Sequence, residues 1–324
     1  MFGRIIGTGS YIPEKVITND DLAKYVDTSD EWIIERTGIK KRHIMKDETT
    51  ADMAVEAARK AVENAGIPAE EIDMIIVSSV SSNLILPNTA CFVQEQIGAE
   101  NASCMDINTA CTGFITAYNT VQSYIHAGLI EMALIVCSEG LSNLVDWKDR
   151  GTCILFGDGA GAAIIKKDES AVFDTVMKSD GRKGSSLTCS NGFANRRRLI
   201  AEEEEKDYAT YIQMDGQEIF RFAVKQVPAC IRELTEKMNI SMDDIDLFVL
   251  HQANLRILQS IGKRLKVPEE KIPTNVSEYG NVSSACIPIL LDELYAAGKL
   301  KKGDKIIMAG FGAGVTLSAS YMEI

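Results

Sequence analysis

The stretch AEEIDMIIVSSV (residues 69–80) has a counterpart later in the chain, MDDIDLFVLHQA (242–253). Both contain an acidic turn followed by a short apolar strand, and Ile245 aligns with Ile72 at an offset of 173 positions. Each strand follows a segment whose apolar residues recur at helical spacing. These segments are TADMAVEAARKAVENAG (50–66) and EIFRFAVKQVPACIRELTEKMNI (218–240). The repeat therefore predicts two copies of one α/β unit.

Two further short strands continue the repeat, EMALIVCSEG (131–140) and GDKIIMAGFG (303–312). Their offset is about the same, within the few-residue uncertainty of strand ends read from sequence. A period this long is unlike a solenoid unit and favours a duplicated domain. We expect an α/β protein in which helices are buried between sheets, with an N-terminal half at 1–170 and a C-terminal half at 171–324.

Composition and charge exclude several classes of protein. The 324 residues are 46% hydrophobic and have no run of 18 apolar residues, which is typical of a globular chain with a large core. The formal net charge of −12 argues against nucleic-acid binding, and neither a membrane segment nor a signal peptide is predicted. We therefore expect a cytoplasmic protein.

The charged run NRRRLIAEEEEKD (195–207) is predicted to be a solvated loop without a catalytic role.

The eight cysteines form no C-x-x-C pair and no paired Cys/His spacing, which predicts reduced thiols and no metal site. One of them, Cys111, begins the helical pattern TGFITAYNTVQSYIHAG (112–128). A helix N-terminus favours an anion and lowers a thiol pKa from roughly 8.5 toward neutrality. On position alone, however, a small core residue is the commoner explanation of such a cysteine.

The positions of the histidines help to decide whether Cys111 is a nucleophile or a core residue, because a nucleophilic cysteine needs a nearby imidazole. His126 falls in the last turn of a predicted helix and His43 in the basic stretch KKRHIMK, where histidines have ordinary structural explanations. His251 instead follows the apolar strand IDLFVL, at the repeat position of Ser78. Strand ends are where sites assemble in α/β sheets, so His251 and Cys111 are expected on the same edge.

A third polar group comes from EYGNVSSACIP (278–288), where Asn281 precedes a helix that the repeat pairs with the Cys111 helix. An asparagine after glycine is usually only a turn or cap residue. Here it would add a donor that does not titrate beside a cysteine and a histidine. The two helices are expected to meet near the pseudo-twofold axis.

These residues carry a family resemblance. The motifs that resemble β-ketoacyl-acyl-carrier-protein synthase III, of the thiolase-like condensing enzymes, occur in the family's order: DEWIIERTGIKKRH (30–43), NTACTGF (108–114), RGTCILFGDGAGA (150–162), HQANLRI (251–257) and YGNVSSA (279–285). The resemblance covers essentially the whole chain. It implies a thiolase-like, internally duplicated fold with five α-β-α-β-α layers.

The resemblance also implies an activity, a decarboxylative condensation that initiates fatty acid synthesis. Cys111 would take an acyl group from an acyl-coenzyme A, and His251 and Asn281 would then drive decarboxylation of malonyl-acyl carrier protein. A neutral imidazole and an amide suit that step, because both donate to an enolate oxygen without a protonation penalty. A homodimer is implied, and no metal or redox cofactor is needed.

Further residues are assigned by the same motif matches. The backbone N–H groups of Cys111 and Ala313 would form the oxyanion hole, with backbone strain at Ala313 if relatives need a positive φ there. Coenzyme A would contact Trp32, Arg36 and Arg150, since an indole stacks on a base and guanidinium groups suit phosphate. From sequence context alone, without the family resemblance, Trp32 would be interpreted as a half-exposed apolar residue and Arg36 as a solvated helix residue.

Three positions depart from the family pattern. Leu86 stands where relatives often carry an aromatic that crosses the dimer to limit the acyl pocket, and Val282 and Leu317 replace an expected threonine and tryptophan. The length and branching of the primer therefore stay open.

A basic helix face follows His251 in NLRILQSIGKRLKV (254–267). Its apolar positions, Leu255, Leu258, Ile261 and Leu265, can face the core while Arg256 and Lys263 share one outward face. Taken alone, this pattern usually marks an ordinary solvated surface. Its closeness to His251 favours a docking site for the acidic carrier protein.

Two other functions remain open on sequence grounds. One is an acyltransferase or specialised condensing enzyme of the same fold with another primer or acceptor. The Cys-His-Asn set opposes an acyltransferase only weakly, since that enzyme needs the Cys-His pair but has no carbanion for Asn281 to help generate. The other is a non-catalytic acyl-binding protein, which the intact Cys-His-Asn set opposes. A hydroxymethylglutaryl-type synthase would want a carboxylate near the first strand end, and VSSVSSNL (77–84) contains none.

Overall fold

The computed structural model describes residues 1–190 and 211–324, so the charged run at 195–207 lies outside the described residues. The strands are β1 (Phe2–Tyr11), β2 (Val16–Thr18), β3 (Lys41–His43), β4 (Met74–Ser78), β5 (Ser103–Ile107), β6 (Met132–Gly140), β7 (Asp158–Asp168), β8 (Asp174–Ser179), β9 (Leu187–Thr188), β10 (Gln213–Met214), β11 (Leu247–Leu250), β12 (Lys305–Gly312) and β13 (Thr316–Glu323). The helices are α1 (Asn19–Leu22), α2 (Asp30–Thr37), α3 (Thr50–Ala65), α4 (Thr89–Ile97), α5 (Gly113–His126), α6 (Arg150–Cys153), α7 (Gly216–Met238), α8 (Leu255–Leu265), α9 (Val276–Tyr279) and α10 (Cys286–Ala296).

Two sheets repeat the same strand order. The first runs β1-β7-β6-β4-β5 and the second β8-β13-β12-β11, so the second matches the first strand for strand except at the β5 edge. The central pairs β4/β6 and β11/β12 are parallel, and the next pairs outward, β6/β7 and β12/β13, are antiparallel. All strands of the first sheet precede residue 170, and all strands of the second follow it.

The layers follow from three apolar clusters. Helices α3 and α4 pack on the outer face of the first sheet, and α7 and α8 pack on the outer face of the second. Helices α5 and α10 lie between the sheets, where Phe114, Val121, Ile287 and Leu291 are fully buried. The fold is therefore the five-layered, internally duplicated thiolase-like arrangement.

Local signals in the sequence explain where the central elements begin and end. The Thr49 side chain and Asp52 cap α3 reciprocally, and Gly66 ends it with φ 63°. The predicted inward face of α5 is buried as expected, at Phe114, Ala117, Tyr118, Val121 and Ile125. Among the described residues, no helix combines the length and apolar character needed to cross a membrane.

Two equivalent turns lead into the central helices. A single 3-10 turn at Ala110–Thr112 precedes α5, and another at Ser283–Ala285 precedes α10. In the first, Asn108 Oδ1 accepts a hydrogen bond from the Ala110 amide at 3.2 Å. In the second, Asn281 Oδ1 accepts from the Ser283 amide at 2.9 Å. The repeat thus places Cys111 and Ser284 at equivalent positions, each after a residue of positive φ, 49° at Ala110 and 47° at Ser283.

Candidate active site

One cavity of about 1010 Å³ brings the predicted catalytic residues together. Cys111 from the first half lines it with His251 and Asn281 from the second. Phe311 and Gly312, at the end of β12, complete this part of the wall. The strand and turn ends of both halves therefore meet at a single site, as the repeat predicts.

Cys111 lies in the 3-10 turn, one turn before the α-helix that was expected to begin with it. The backbone of Gly312 passes close by, since a Cβ at that position would lie 2.7 Å from the Cys111 amide nitrogen. The expectation of a lowered thiol pKa is wrong for this structure: burial raises the pKa of Cys111 to about 12. The Ser283 hydroxyl interacts with the thiol and only partly opposes this shift. The resting nucleophile is therefore a thiol.

His251 follows β11 directly, and its amide donates to the Ala309 carbonyl of β12 at 2.9 Å. The imidazole is 3% exposed and packs edge-on against Phe311, with the ring centroids 5.6 Å apart. Its Nδ1 has no hydrogen-bond partner among the described residues. Burial lowers the pKa of His251 to about 3, so the imidazole is neutral near pH 7.

Asn281 is fixed through its backbone and its side chain. Its amide donates to the Leu155 carbonyl at 2.8 Å, and its carbonyl accepts from the Gly157 amide at 3.1 Å. The side-chain oxygen is occupied by the Ser283 amide. The amide nitrogen of the side chain is therefore the part that suits donation to a substrate oxygen.

Trp32 lies between two guanidinium groups. Arg36 is 4.3 Å and Arg150 4.6 Å from the ring centroid, measured from the guanidinium carbons. Trp32 and Arg36 line the cavity that contains Cys111, whereas Arg150 stands beside the lining and donates to the Asp27 carbonyl at 2.7 Å. The indole and the two guanidinium groups therefore form one cationic cluster next to the site.

Other predicted site residues lie less directly on the cavity. Ala313 follows the lining residue Gly312 and does not have a positive φ, so the conditional expectation of strain there does not apply. Leu86 is 87% exposed and does not line the cavity of its own chain. Val282 and Leu317 are buried in the apolar clusters and do not line the cavity.

Helix α8 presents the predicted basic face. Arg256 and Lys263 are exposed, while Leu258, Ile261 and Leu265 are buried and Leu255 is half-buried. Arg256 lines the cavity, and so does Arg221 of α7, which sequence reasoning did not single out. The cavity wall therefore includes one arginine from α7 and one from α8, of which Arg221 forms an ion pair with Glu218 at 3.0 Å.

Sequence reasoning also missed a buried carboxyl group. Glu139, near the end of β6, is fully buried and accepts hydrogen bonds from the Ser81 hydroxyl at 2.7 Å and the Val80 amide at 3.1 Å. The serine-rich segment after β4 contains no carboxylate itself, but a neighbouring strand supplies one. The only sequence signal was the presence of Glu139 inside an otherwise apolar strand. An acidic residue that is buried in this way needs hydrogen-bond partners.

The described part of the chain has no cluster of three or more His, Cys, Asp or Glu residues arranged to hold a metal ion. The residues at the site instead supply a thiol, an imidazole, a carboxamide and backbone amides. This donor set suits acyl transfer and stabilisation of an oxyanion.

Comparison with known proteins agrees with this site. The family model described as 3-oxoacyl-[acyl-carrier-protein (ACP)] synthase III matches residues 105–181, and the model of its C-terminal part matches residues 235–324. These two matches contain Cys111, His251 and Asn281 between them.

Curated relatives extend the match to the full chain. The β-ketoacyl-[acyl-carrier-protein] synthase III of Clostridium acetobutylicum is 46% identical, with 98% of each chain covered. That of Clostridium perfringens strain SM101 is 47% identical, with 99% of each covered.

Solved structures give the same result. The 3-oxoacyl-[acyl-carrier-protein] synthase III of Aquifex aeolicus superposes with a TM-score of 0.92 at 40% identity, covering 99% of this chain and 100% of that one. The priming β-ketosynthase of the R1128 polyketide pathway has a TM-score of 0.93 at 34% identity, covering 100% and 96%. The chain belongs to the β-ketoacyl-acyl-carrier-protein synthase III family of condensing enzymes.

Proposed function

We propose that this protein condenses an acyl-coenzyme A primer with malonyl-acyl carrier protein and so initiates fatty acid synthesis. The observation that carries the proposal is the meeting of Cys111, His251 and Asn281 on one cavity. The names of relatives at 46% and 47% identity support the same reaction.

The first step is transfer of the acyl group to Cys111. Because the resting thiol is protonated, its proton must leave as sulfur attacks the thioester carbonyl, and it passes in the end to the departing coenzyme A sulfur. His251, whose pKa burial lowers to about 3, is too weak a base to hold that proton and stays neutral. The N–H groups of Cys111 and Ala313 stabilise the developing oxyanion. Collapse of the intermediate expels coenzyme A, whose thiolate recovers the proton, and leaves a neutral acyl thioester on Cys111.

The second step is decarboxylation and condensation. Loss of CO2 from the malonyl group leaves an enolate, whose oxygen receives hydrogen bonds from His251 and the Asn281 amide nitrogen. The enolate carbon attacks the acyl carbonyl, a carbon–carbon bond forms and the Cys111 sulfur leaves as a thiolate that is reprotonated. A neutral imidazole suits this step because it donates without first having to bind a proton.

The substrates and partners follow from the surfaces around the site. Trp32, Arg36 and Arg150 would hold the coenzyme A nucleotide by stacking and charge. A homodimer is proposed, supported by β5, which forms an edge of the first sheet and is only partly buried. We further propose that the protein acts in the cytoplasm and needs no metal or redox cofactor.

A different primer, used in a specialised pathway, is the second candidate. It is favoured by the structural likeness to the priming β-ketosynthase of the R1128 pathway, at 34% identity. Of the three departures from the family pattern, Val282 and Leu317 are buried and do not line the cavity, so only the exposed Leu86 supports this candidate, by reaching the cavity of a second copy. Both candidates share the same chemistry at Cys111.

The function is tested by mixing the protein with malonyl-carrier protein and a panel of acyl-coenzyme A thioesters. Mass spectrometry of the carrier should find a β-ketoacyl group two carbons longer than the primer, and the preferred primer separates the two candidates. If the acyl group appears instead on an alcohol or amine acceptor, with malonyl-carrier unchanged, the protein is an acyltransferase.

Charge reversal on α8 is expected to weaken carrier docking. Arg256→Glu with Lys263→Glu should raise KM for malonyl-carrier protein roughly tenfold at low salt and less at high salt, because salt screens the attraction. Acylation by acyl-coenzyme A should change much less. The control pair, Lys299→Glu with Lys302→Glu, alters exposed lysines that do not line the cavity. Equal carrier kinetics in both double variants at low salt would exclude this face.

Enlarging Leu86 is expected to shorten the preferred primer. Because Leu86 is 87% exposed and absent from its own cavity, Leu86→Phe can act only by reaching the cavity of a second copy. The measurement is the ratio of kcat/KM for short and long acyl-coenzyme A primers. Leu129→Phe, at another exposed leucine, is the control. An unchanged ratio would remove Leu86 from the acyl pocket.

A further inference from the structure

Glu139 is a buried carboxylate held entirely by neutral donors. Its Oε1 accepts from the Ser284 hydroxyl at 2.6 Å and faces the Ser284 amide at 3.4 Å. Its Oε2 accepts from the Ser81 hydroxyl and the Val80 amide. Within residues 1–190 and 211–324, no lysine or arginine forms an ion pair with it. Burying a carboxylate costs free energy unless its hydrogen bonds are satisfied, so Glu139 holds these donors in fixed positions.

The internal repeat shows what Glu139 organises. At the offset of 173 positions, Ser284 is equivalent to Cys111, Ser78 to His251 and Glu139 to Gly312. Gly312 lines the cavity and packs its backbone against Cys111, whereas the Glu139 side chain lies beside Ser284 and accepts a hydrogen bond from its hydroxyl. One copy of the site is therefore open, and the other is closed by a hydrogen-bonded carboxylate.

The turn at Ser283 and Ser284 connects the closed copy of the site, at Glu139, with the open copy, at Cys111. Ser284 is anchored by Glu139, and the preceding residue, Ser283, donates its amide to Asn281. The Ser283 hydroxyl also interacts with both the Cys111 thiol and the Glu139 carboxylate. Because Ser283 has a positive φ of 47°, this turn is strained and needs anchors on both sides.

We propose that Glu139 is a positioning residue of the condensation, which anchors the turn at Ser283 and Ser284 so that Asn281 and Cys111 keep their places at the cavity. It touches neither substrate nor the reacting atoms. Its action on decarboxylation goes through Asn281, and its action on acylation goes through the environment of the Cys111 sulfur.

The anchor also has an electrostatic consequence. Burial raises the pKa of the Glu139 carboxyl, and the hydrogen bonds from Ser284, Ser81 and Val80 oppose that shift. When ionised, Glu139 adds to burial in raising the pKa of Cys111 and so favours the protonated thiol. The other titratable groups at this sulfur are His251, neutral because its pKa is lowered to about 3, and the Cys286 thiol, whose pKa is raised by burial. Neither becomes charged between pH 6 and about 9. Removing the Glu139 charge should lower the pKa of Cys111 and also that of the buried Cys137 and Cys286 thiols, so the Cys111 peptide has to be quantified by itself.

The first test is the pH dependence of Cys111 alkylation in Glu139→Gln. Glutamine has no charge and keeps an oxygen acceptor for the Val80 amide, while its NH2 group replaces the oxygen that accepts from the Ser284 hydroxyl. Iodoacetamide forms an S–C bond to the thiolate and releases iodide, so its rate reports the thiolate fraction. We expect alkylation about tenfold faster at pH 8, a profile shift of about one pH unit. The Cys111 peptide is quantified by mass spectrometry, since Cys91 and Cys189 are exposed whereas Cys111 is only partly so.

The matched control is Asp158→Asn. Asp158 is also fully buried, and it accepts from the Ser142 hydroxyl at 2.6 Å and from the Ser142 and Met45 amides at 2.8 Å. It does not contribute to the Cys111 pKa, so its variant should keep the parent profile. A Glu139→Gln profile that coincides with the parent, or a control that shifts equally, would overturn the proposal. This assay uses no substrate and is independent of the proposed reaction.

A second pair of variants tests the anchor without changing charge. Ser284→Ala removes the 2.6 Å bond to Glu139, and Ser142→Ala removes the equivalent 2.6 Å bond to Asp158. We expect Ser284→Ala to lower kcat for malonyl decarboxylation about tenfold, with alkylation of Cys111 within about twofold of the parent. Ser142→Ala should leave both rates unchanged. Parent-like decarboxylation in Ser284→Ala would overturn the positioning role even if Glu139→Gln fails to fold.

Discussion

Cys111→Ala is expected to abolish the mass increase that follows mixing with an acyl-coenzyme A, and to lower the condensation rate by at least about a thousandfold. The reason is that the acyl group has no other acceptor on the cavity wall, where Cys111 is the only cysteine among the described lining residues. Intact-mass spectrometry measures the first effect directly, and release of coenzyme A measures the second.

The control for this variant is Cys91→Ala, which removes an exposed thiol on α4 that does not line the cavity. It should acylate at the parent rate. If the mass increase persists in Cys111→Ala and disappears in Cys91→Ala, the nucleophile has been assigned to the wrong cysteine.

Asn281→Asp is expected to separate the two half-reactions. Aspartate keeps an oxygen acceptor for the Ser283 amide, which is 2.9 Å from Asn281 Oδ1, but it loses the donor proposed for the enolate. Malonyl decarboxylation should fall about 10²- to 10³-fold, as when an oxyanion donor is removed, while acylation of Cys111 persists. Release of CO2 and intact mass, measured on the same preparation, give the two rates.

His251→Ala should likewise remove decarboxylation and leave some self-acylation at Cys111.

Asn119→Asp is the control for Asn281→Asp, because Asn119 is a buried asparagine on α5 that hydrogen-bonds Thr175 and Ser320, away from the cavity lining. Equal loss of both half-reactions in Asn281→Asp, with the fold retained, would show that Asn281 acts only through structure.

The pH dependence of decarboxylation has a predicted direction as well. Since burial lowers the pKa of His251 to about 3, the imidazole stays neutral when the pH falls from 8 to about 5. Decarboxylation of malonyl-carrier by the pre-acylated protein should therefore show no acid limb near the ordinary histidine pKa of about 6.5. A single protonation with a midpoint near 6.5 would mean that the imidazole is far less shielded than its 3% exposure indicates.

The fold could be predicted from the sequence largely because the repeat is visible in the apolar strands. Ile72 and Ile245 fixed the register of the two halves, and the apolar positions of α3 and α5 marked the faces that are buried. The strand order itself was not predicted, because pairing between distant strands leaves no local pattern. The short 3-10 turns before α5 and α10 also have no apolar periodicity to reveal them.

The site was predictable in its membership but not in its electrostatics. Cys111, His251 and Asn281 could be selected by their positions at strand and helix ends, and the structure brings them to one cavity. The direction of the Cys111 pKa shift could not be predicted, because it depends on how deeply the thiol is surrounded and on Glu139, which is 28 positions away in sequence.

The close approach at Gly113 constrains how this protein can evolve. A Cβ there would lie 1.9 Å from Ser78 Oγ of the first half and 2.9 Å from Ser284 Cβ of the second. After the duplication, therefore, neither half was free to acquire larger side chains at this contact by itself. A mutation at Gly113 would have to be accompanied by a compensating loss of volume at Ser78 and Ser284, so these positions should change together across descendants or not at all.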